Sequence, residues 1–410
     1  DADDDDDDDA EPKLKYYRLA MNVSDILKHD AASCLGVHEK LLVLGTHSGK
    51  VYVVDFSGYE IRRFSHHTAT INELCVDRTG EYVASCSNDG RVCVSPLFGD
   101  GGGTSGTAAS VVATYGRPIL ALALDPDFAR KSSRPFCCGG RAGQLIMNTK
   151  GFFKTKDTVV HSGEGAIYAI AWRGSLIAWA NDIGVKVFDS QTNQRITFID
   201  RPKNSPRADL YRCNLSWPDD NTLLVGWADN IKLCRVRQRS SGGSSGGGGG
   251  GSGGDSLPSR YIEIVLVFQT DYWICGLAPW GNYLVVMAFV DDDDDDGGGG
   301  AGGASGSSLR PELRILSMTN EEISNDALTL HGFEQLRATD YRLAALIGGA
   351  TSTTTPVTTD NGDEYDSLTA AAAAAAVVAV VVTRWPTPRP TPTTFAPPHR
   401  RPRPPRRRAA

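Results

Sequence analysis

Apolar residues along this chain come in short runs broken by polar turns rich in Gly, Asn and Asp. The stretch from His161 to Asp189, HSGEGAIYAIAWRGSLIAWANDIGVKVFD, shows the layout most clearly. Alternation through Ile167, Ala169 and Ala171 to Trp172 predicts a strand, Arg173 and Gly174 a turn, and Leu176 to Trp179 a second strand. Asn181, Asp182 and Gly184 predict a turn of positive φ, and Val185, Val187 and Phe188 then alternate up to a closing Asp189. Consecutive strands joined by polar turns, with no reactive grouping among them, predict the inner part of a propeller blade.

The same layout recurs. Leu41 to Asp55 and Glu81 to Val94 each read as apolar strand, small residue, polar turn ending in Gly49 or Gly90, and alternating strand. Further copies run from Pro135 to Met147, Leu176 to Asp189 and Asn221 to Val236, and a sixth is split between Asn282 to Val290 and Leu313 to Ser317. A period of about 40 to 45 residues with short strands predicts an all-β, WD40-like β-propeller, whose four-stranded blades bury each other's faces. Ile71 to Val76, Ile119 to Leu124 and Ile274 to Leu277 read as the strands that open their blades. The Trp-Asp dipeptide of strict WD40 repeats is absent, and Asp55 and Asp189 occupy comparable strand ends.

Composition shortens the folding part of the 410 residues to roughly 280. Residues 1–12 form an acidic segment expected to be disordered, and insertions at about 99–107, 239–256 and 291–308 interrupt a propeller spanning 13–343. Residues 344–410 read as a low-complexity Thr, Ala, Pro and Arg-rich tail. Insertions between strands lengthen loops at little cost. The formal net charge of -7 comes largely from the two Asp runs, and no basic stripe with interleaved aromatics marks a nucleic-acid surface. Nine scattered cysteines in apolar contexts predict reduced, buried thiols. The apolar run Ala370 to Val382 is mostly alanine and shorter than the roughly 20 residues of a bilayer span. No charged region followed by an apolar one opens the chain, so a cytoplasmic protein is expected.

Each candidate for chemistry has a plainer reading. Gly45 to Val51 faintly resembles a phosphate loop around Lys50, but the spacing is short and Val51 stands where Ser or Thr would bind magnesium, so a hairpin turn is expected. Gly243 to Gly247 matches a nucleophile elbow inside a Ser/Gly linker that has no strand before it. His47, His66 and His67, with the vicinal Cys137 and Cys138, lack zinc-site spacing, and two adjacent strand residues point to opposite faces. The Asp runs 3–9 and 291–296 lack the glycine and the bidentate Glu of a calcium loop. Trp172, Trp179, Trp217, Trp227, Trp273 and Trp280 read as packing between blades in preference to a cage for a cation. The eight arginines from Arg384 to Arg408, interspersed with proline, read as an unfolded extension, with acidic lipid or an SH3-type groove as the other reading. Nothing assembles a nucleophile, a base and an orienting partner, so a non-enzymatic binding protein is expected, with no catalytic, cofactor-binding or metal residue.

From Glu11-Pro12-Lys13-Leu14-Lys15-Tyr16 to Asp340-Tyr341 the chain resembles the N-terminal propeller of the vacuolar protein sorting-associated protein 41 family. The stretches that carry the likeness include Asp30 to Cys34, Leu44 to His47 with Gly49 to Tyr52, and Gly163 to Gly165 with Trp172 to Gly174 and Ile177 to Asn181. Others are Leu257 to Tyr261 with Glu263 to Val265, Gly276 to Pro279, and Glu321 to Ser324 with Asp326 to Thr329. The resemblance implies seven blades, and because it ends near Leu343 the last blade is expected to be incomplete. It further implies a subunit of the HOPS tethering complex, acting in vesicle-mediated transport to the lysosome or vacuole before SNARE-dependent fusion. Implied partners are other HOPS subunits and Rab-type and Arf-like small GTPases, with SNAREs reached indirectly and the protein peripheral on late endosome and lysosome or vacuole membranes. The period alone also fits a generic WD40 scaffold or substrate receptor of another complex.

Overall fold

The structure is a computed structural model that describes residues 21–98, 111–239, 257–280, 283–291, 309–317, 323–329, 341–345 and 378–382. Helix α1 (Met21–Leu27) precedes blade 1, which comprises β1 (Ala32–His38), β2 (Leu41–Thr46), β3 (Val51–Val54) and β4 (Glu60–Phe64). Blade 2 holds β5 (Ile71–Val76), β6 (Tyr82–Ser87), β7 (Arg91–Pro96) and β8 (Val111–Thr114). Blade 3 holds β9 (Ile119–Leu124), β10 (Phe136–Gly140), β11 (Gln144–Lys150) and β12 (Thr155–Ser162). Blade 4 holds β13 (Ala169–Arg173), β14 (Leu176–Ala180), β15 (Gly184–Asp189) and β16 (Gln194–Asp200). Blade 5 holds β17 (Asn214–Asp219), β18 (Thr222–Trp227), β19 (Asn230–Gln238) and β20 (Arg260–Gln269). Blade 6 holds β21 (Trp273–Trp280), β22 (Tyr283–Asp291), β23 (Leu309–Ser317) and β24 (Ile323–Thr329). A final hairpin pairs β25 (Tyr341–Ala345) with β26 (Val378–Val382). Each blade is an antiparallel meander in chain order. The first strands line up in a ring, and β25 lies beside both β21 and β1, so the seventh, two-stranded unit completes the circle.

Packing between blades explains the unbroken apolar runs. All residues of β2, β14 and β18 are buried. A strand covered on both faces has no polar side to alternate toward. In β2, Leu41 and Val43 enter the cluster shared with Ile71 and Leu74 of blade 2, whereas Leu42 and Leu44 turn the other way, toward Val23 of α1. In β14, Leu176 and Ala178 join Trp217 and Leu223 of blade 5, while Ile177 and Trp179 join Cys137 and Leu145 of blade 3. Each such side chain contributes about 1.5–3 kcal/mol by leaving water. The outer strands are exposed, as in β12, where six of eight residues face solvent.

The turn glycines that mark the repeat have a common cause. Gly49 has φ +90 and Gly90 φ +78. A Cβ would lie 2.6 Å from the His67 carbonyl oxygen at the first and 2.2 Å from that of Tyr115 at the second.

Three features differ from the sequence-based expectation. The turn after β14 needs no positive φ at Asn181, Asp182 or Gly184. Instead the Asn181 side-chain oxygen accepts the N–H groups of Ile183 (3.1 Å) and Gly184 (3.2 Å), and Gly184 is small because Ile199 O would lie 2.4 Å from a Cβ. Helix α1 has no counterpart in an all-strand reading. Its Val23, with Ile26 and Leu27, covers the face of blade 1 that also meets Ala344. Finally, the propeller does not stop at 343, since β25 runs to Ala345 and β26 comes from the stretch assigned to the tail. The Val-rich run 377–382 has high β-propensity, unlike the alanines before it.

Candidate functional site

The strongest polar assembly holds the connection between blades 1 and 2. His67 is buried, and its Nδ1 lies 3.1 Å from Asp89 while Nε2 lies 2.8 Å from the Ser85 hydroxyl. Asp89 also accepts the N–H groups of Thr68 (3.0 Å) and Arg91 (2.9 Å). Burial pushes the His67 pKa below its ordinary value, and the Asp89 charge offsets this only in part. A neutral ring fits these partners: Nδ1–H donates to the carboxylate and Nε2 accepts from the hydroxyl. Burial opposes the charge of Asp89, but the Thr68 and Arg91 N–H groups, together with His67, outweigh it and hold its pKa below the usual carboxylate range.

Blade 4 solves the same position differently. Lys186 is buried and pairs with Glu164, which also accepts from Asn181 Nδ2 at 3.1 Å. The Lys186 ammonium stands 5.2 Å from the Phe198 ring centroid. Other links cross between blades. Ser33 donates to the Ile71 carbonyl at 2.6 Å, Asn72 to the Ile119 carbonyl at 2.6 Å, and Trp217 Nε1 to the Ala171 carbonyl at 3.2 Å. Arg260 of blade 5 grips Asp189 of blade 4 and donates to Ser175 Oγ at 2.8 Å. These groups are spent on structure.

The residues singled out from the sequence do not converge. Lys50 follows the β2–β3 turn, where its backbone N–H donates to Thr46 Oγ1 at 3.0 Å, as a hairpin requires. His47 lies 3.4 Å from Thr70 Oγ1 and is not drawn toward His67. Cys137 and Cys138 point to opposite faces of β10, into different clusters. Burial raises both thiols, Cys138 to about 12. Among the described residues no group of three or more His, Cys, Asp or Glu is arranged to hold a metal ion. Trp179, Trp217 and Trp227 are buried in the blade interfaces, with Trp172 and Trp273 half-buried beside them, and the cation over Trp227 is the protein's own Arg201 at 5.5 Å. Asp55 and Asp189 do occupy equivalent ends of third strands. Asp55 caps its turn through Ser57 N (2.9 Å) and Asp189 through Gln191 N (3.0 Å). The Asp runs, Gly243 to Gly247 and the arginines from Arg384 onward lie outside the described residues, apart from Asp291.

What remains for a partner is surface. The crevice between blades 4 and 5 beside Trp227, Asp200 and Lys232 is too tight to admit even a water molecule. It is therefore no small-molecule site, which typically encloses about 300–1,000 Å³. Phe152 and Phe153, which the sequence-based search passed over, stand on the β11–β12 hairpin at 97% and 91% exposure. Their signal was visible as two adjacent aromatics set between lysines in a turn, where strand alternation has stopped. Rigid blades with exposed connecting loops suit docking. No helix among the described residues is long and apolar enough to cross a membrane.

Comparison with known proteins agrees with this architecture. The propeller domain of Cps50 (Swd1) from Myceliophteria thermophila superposes with a TM-score of 0.54 at 16% identity, covering 74% of this chain and 86% of that one, which supports the fold alone. Vacuolar protein sorting-associated protein 41 homologs are much nearer in sequence. The one from Solanum lycopersicum is 43% identical over 337 residues, 82% of this chain and 34% of its own length. The human homolog is 40% identical over 336 residues, 81% of this chain and 36% of its own length. The chain thus spans about a third of the length of these relatives. The family model Beta-prop_Vps41, described as "Vps42 beta-propeller", matches residues 14–355. With that match running from before α1 to beyond β25, and relatives at this identity along the ring, the chain belongs to the Vps41 β-propeller family.

Proposed function

We propose that the chain acts in vacuolar protein sorting as a non-enzymatic subunit of the HOPS tethering complex. In that role it helps hold late endosomes and vacuole-directed vesicles at the lysosome or vacuole before SNARE-dependent fusion. The observation that carries this reading is the likeness to vacuolar protein sorting-associated protein 41 homologs, 40% to 43% identical over more than four-fifths of the chain. The fold supports it physically. A ring of interlocked blades is a stiff disc whose loops present fixed contacts, and the polar clusters His67–Asp89–Ser85 and Glu164–Lys186 are engaged in holding it together. Partners on this reading are the other HOPS subunits and Rab-type or Arf-like small GTPases, which bring the protein peripherally onto membranes.

Binding of the purified 410-residue chain to recombinant HOPS subunits, and to Rab-type and Arf-like GTPases loaded with GTP or GDP, tests it. Capture of a HOPS subunit, or of a GTPase in its GTP form, is the expected result. Capture of neither overturns the reading for this chain, and association with ubiquitin-ligase subunits instead would identify a substrate receptor.

A further inference from the structure

The hairpin between β11 and β12 turns through Gly151, Phe152, Phe153 and Lys154, closed by the Gly151 N–H donating to the Lys154 carbonyl at 2.9 Å. The two rings pack on each other edge to face, 5.1 Å between centroids and 72° between planes. With 97% and 91% of their surface in water, they contribute little to any core. Isolated exposed apolar residues are ordinary, but a paired aromatic tip on a tight turn is not.

The surroundings of the tip are basic. Lys150, Lys154 and Lys156 flank it and are exposed. The Lys150 N–H donates to the Ser133 carbonyl at 2.6 Å, which ties the hairpin to the β9–β10 loop carrying exposed Arg130 and Lys131. The acids of this blade are mostly engaged. Asp125 is buried and held by Lys131 at 2.8 Å, and Asp157 accepts from Asn148 at 2.6 Å and Tyr115 at 3.3 Å. Asp127 and Asp157 are exposed, and they are outnumbered by the exposed Arg130, Lys150, Lys154 and Lys156.

Two more exposed aromatics share this side of the disc. Tyr59, in the β3–β4 turn, is 56% exposed, and Phe98, just past β7, is 58% exposed. Both follow the third strand of their blade, as Phe152 and Phe153 do. In antiparallel meanders of one orientation, the connections after third strands all emerge on the same face. Blades 1, 2 and 3 therefore carry aromatics toward one side.

We propose that the β11–β12 hairpin is a membrane-contact tip, with Phe152 and Phe153 entering the interfacial layer of an anionic bilayer while Lys150, Lys154 and Lys156 meet its phosphates. A protruding convex tip has no groove for a peptide or small molecule. Aromatic rings prefer the headgroup level, and lysine stems extend beside them to keep their charges at the phosphates. The inference goes beyond the tethering reading and does not depend on it, because the test contains lipid and this chain alone.

The test is flotation of the 410-residue chain with vesicles of equimolar phosphatidylcholine and phosphatidylserine, and with phosphatidylcholine vesicles. Binding to the anionic vesicles that weakens as salt is raised is expected. Phe152→Ser with Phe153→Ser lowers the partition coefficient about tenfold or more, and Lys154→Ala about fivefold. Phe152→Trp with Phe153→Trp retains binding, and none of these changes moves the melting temperature, since the side chains are exposed. The proposal is overturned if the unaltered chain fails to bind anionic vesicles or binds both kinds equally. Unchanged binding by the double Ser variant overturns it too, and places the contact elsewhere, the arginine-rich tail included.

Discussion

Asp89→Ala tests whether the His67 assembly fastens blades 1 and 2. The carboxylate accepts from His67, Thr68 and Arg91 at 2.9–3.1 Å. Hydrogen bonds to a charged group are worth about 1.5–3 kcal/mol each, but these three share one acceptor and their losses do not add. Thr68 and Arg91 are exposed and can turn to water, whereas the His67 Nδ1–H is left buried without an acceptor. The expected loss is about 3 kcal/mol, or roughly 5–10 °C in melting temperature for a domain of this size. The pH dependence has a definite sign. Burial already holds the His67 pKa below 6.5 in the folded chain, so its contribution is intact above that pH. As pH falls below 6.5 the unfolded chain takes up the proton first, and stability drops until the folded pKa is reached. Removing Asp89 removes a charge that raises that pKa, so the variant's stability goes on falling to a lower pH than the parent's. Thermal melts over a pH series descending from 7.5 decide the matter. A shift under about 2 °C at pH 7.5, or parallel losses on acidification, would refute the reasoning.

Three further outcomes follow from the geometry. Arg260→Ala strands the Asp189 carboxylate, whose side chain is 1% exposed, and should cost about 2 kcal/mol in urea unfolding; a neutral result would show that Gln191 N–H and Ser175 suffice. Ending the chain at Ala345 removes β26 and leaves β25 without its partner strand, so it should melt lower and be cleaved faster by protease than a chain ending at Thr383, whereas equal melting points would mean that β26 does not support the ring. Burial raises the thiols of Cys75, Cys93 and Cys138 to about 12, so a thiol reagent at pH 8 should label them only after denaturant is added, and rapid labelling of the native chain would contradict their burial.

Much of the fold was legible because local rules and tertiary packing agree. Ile71 to Val76 and Ile119 to Leu124 were readable as opening strands and are β5 and β9 to the residue. Gly49 and Gly90 were readable as turn glycines, since only positive φ and a close carbonyl demand glycine at that recurring place. The Asn181 turn was located correctly but for the wrong reason, because a side-chain cap and a positive-φ turn use the same residue types. Helix α1 was invisible, as seven residues carry almost no periodic signal and their order depends on the face of blade 1 that they cover.

The sequence by itself determined the strands, their turns, the period and the family likeness, since each depends on residues near one another or on a repeated order. Tertiary structure alone decided which residues became partners. His67 with Asp89, Arg260 with Asp189, and β25 with β26 are separated by stretches of chain that local rules do not span, and the pairing of strands and the stacking of neighbouring blades bring them together. It also decided that Leu41 and Leu42 are both buried, against different neighbours, because a blade inside a ring is covered on two faces, and that Phe152 and Phe153 are left in water, because a hairpin tip at the rim is covered on none.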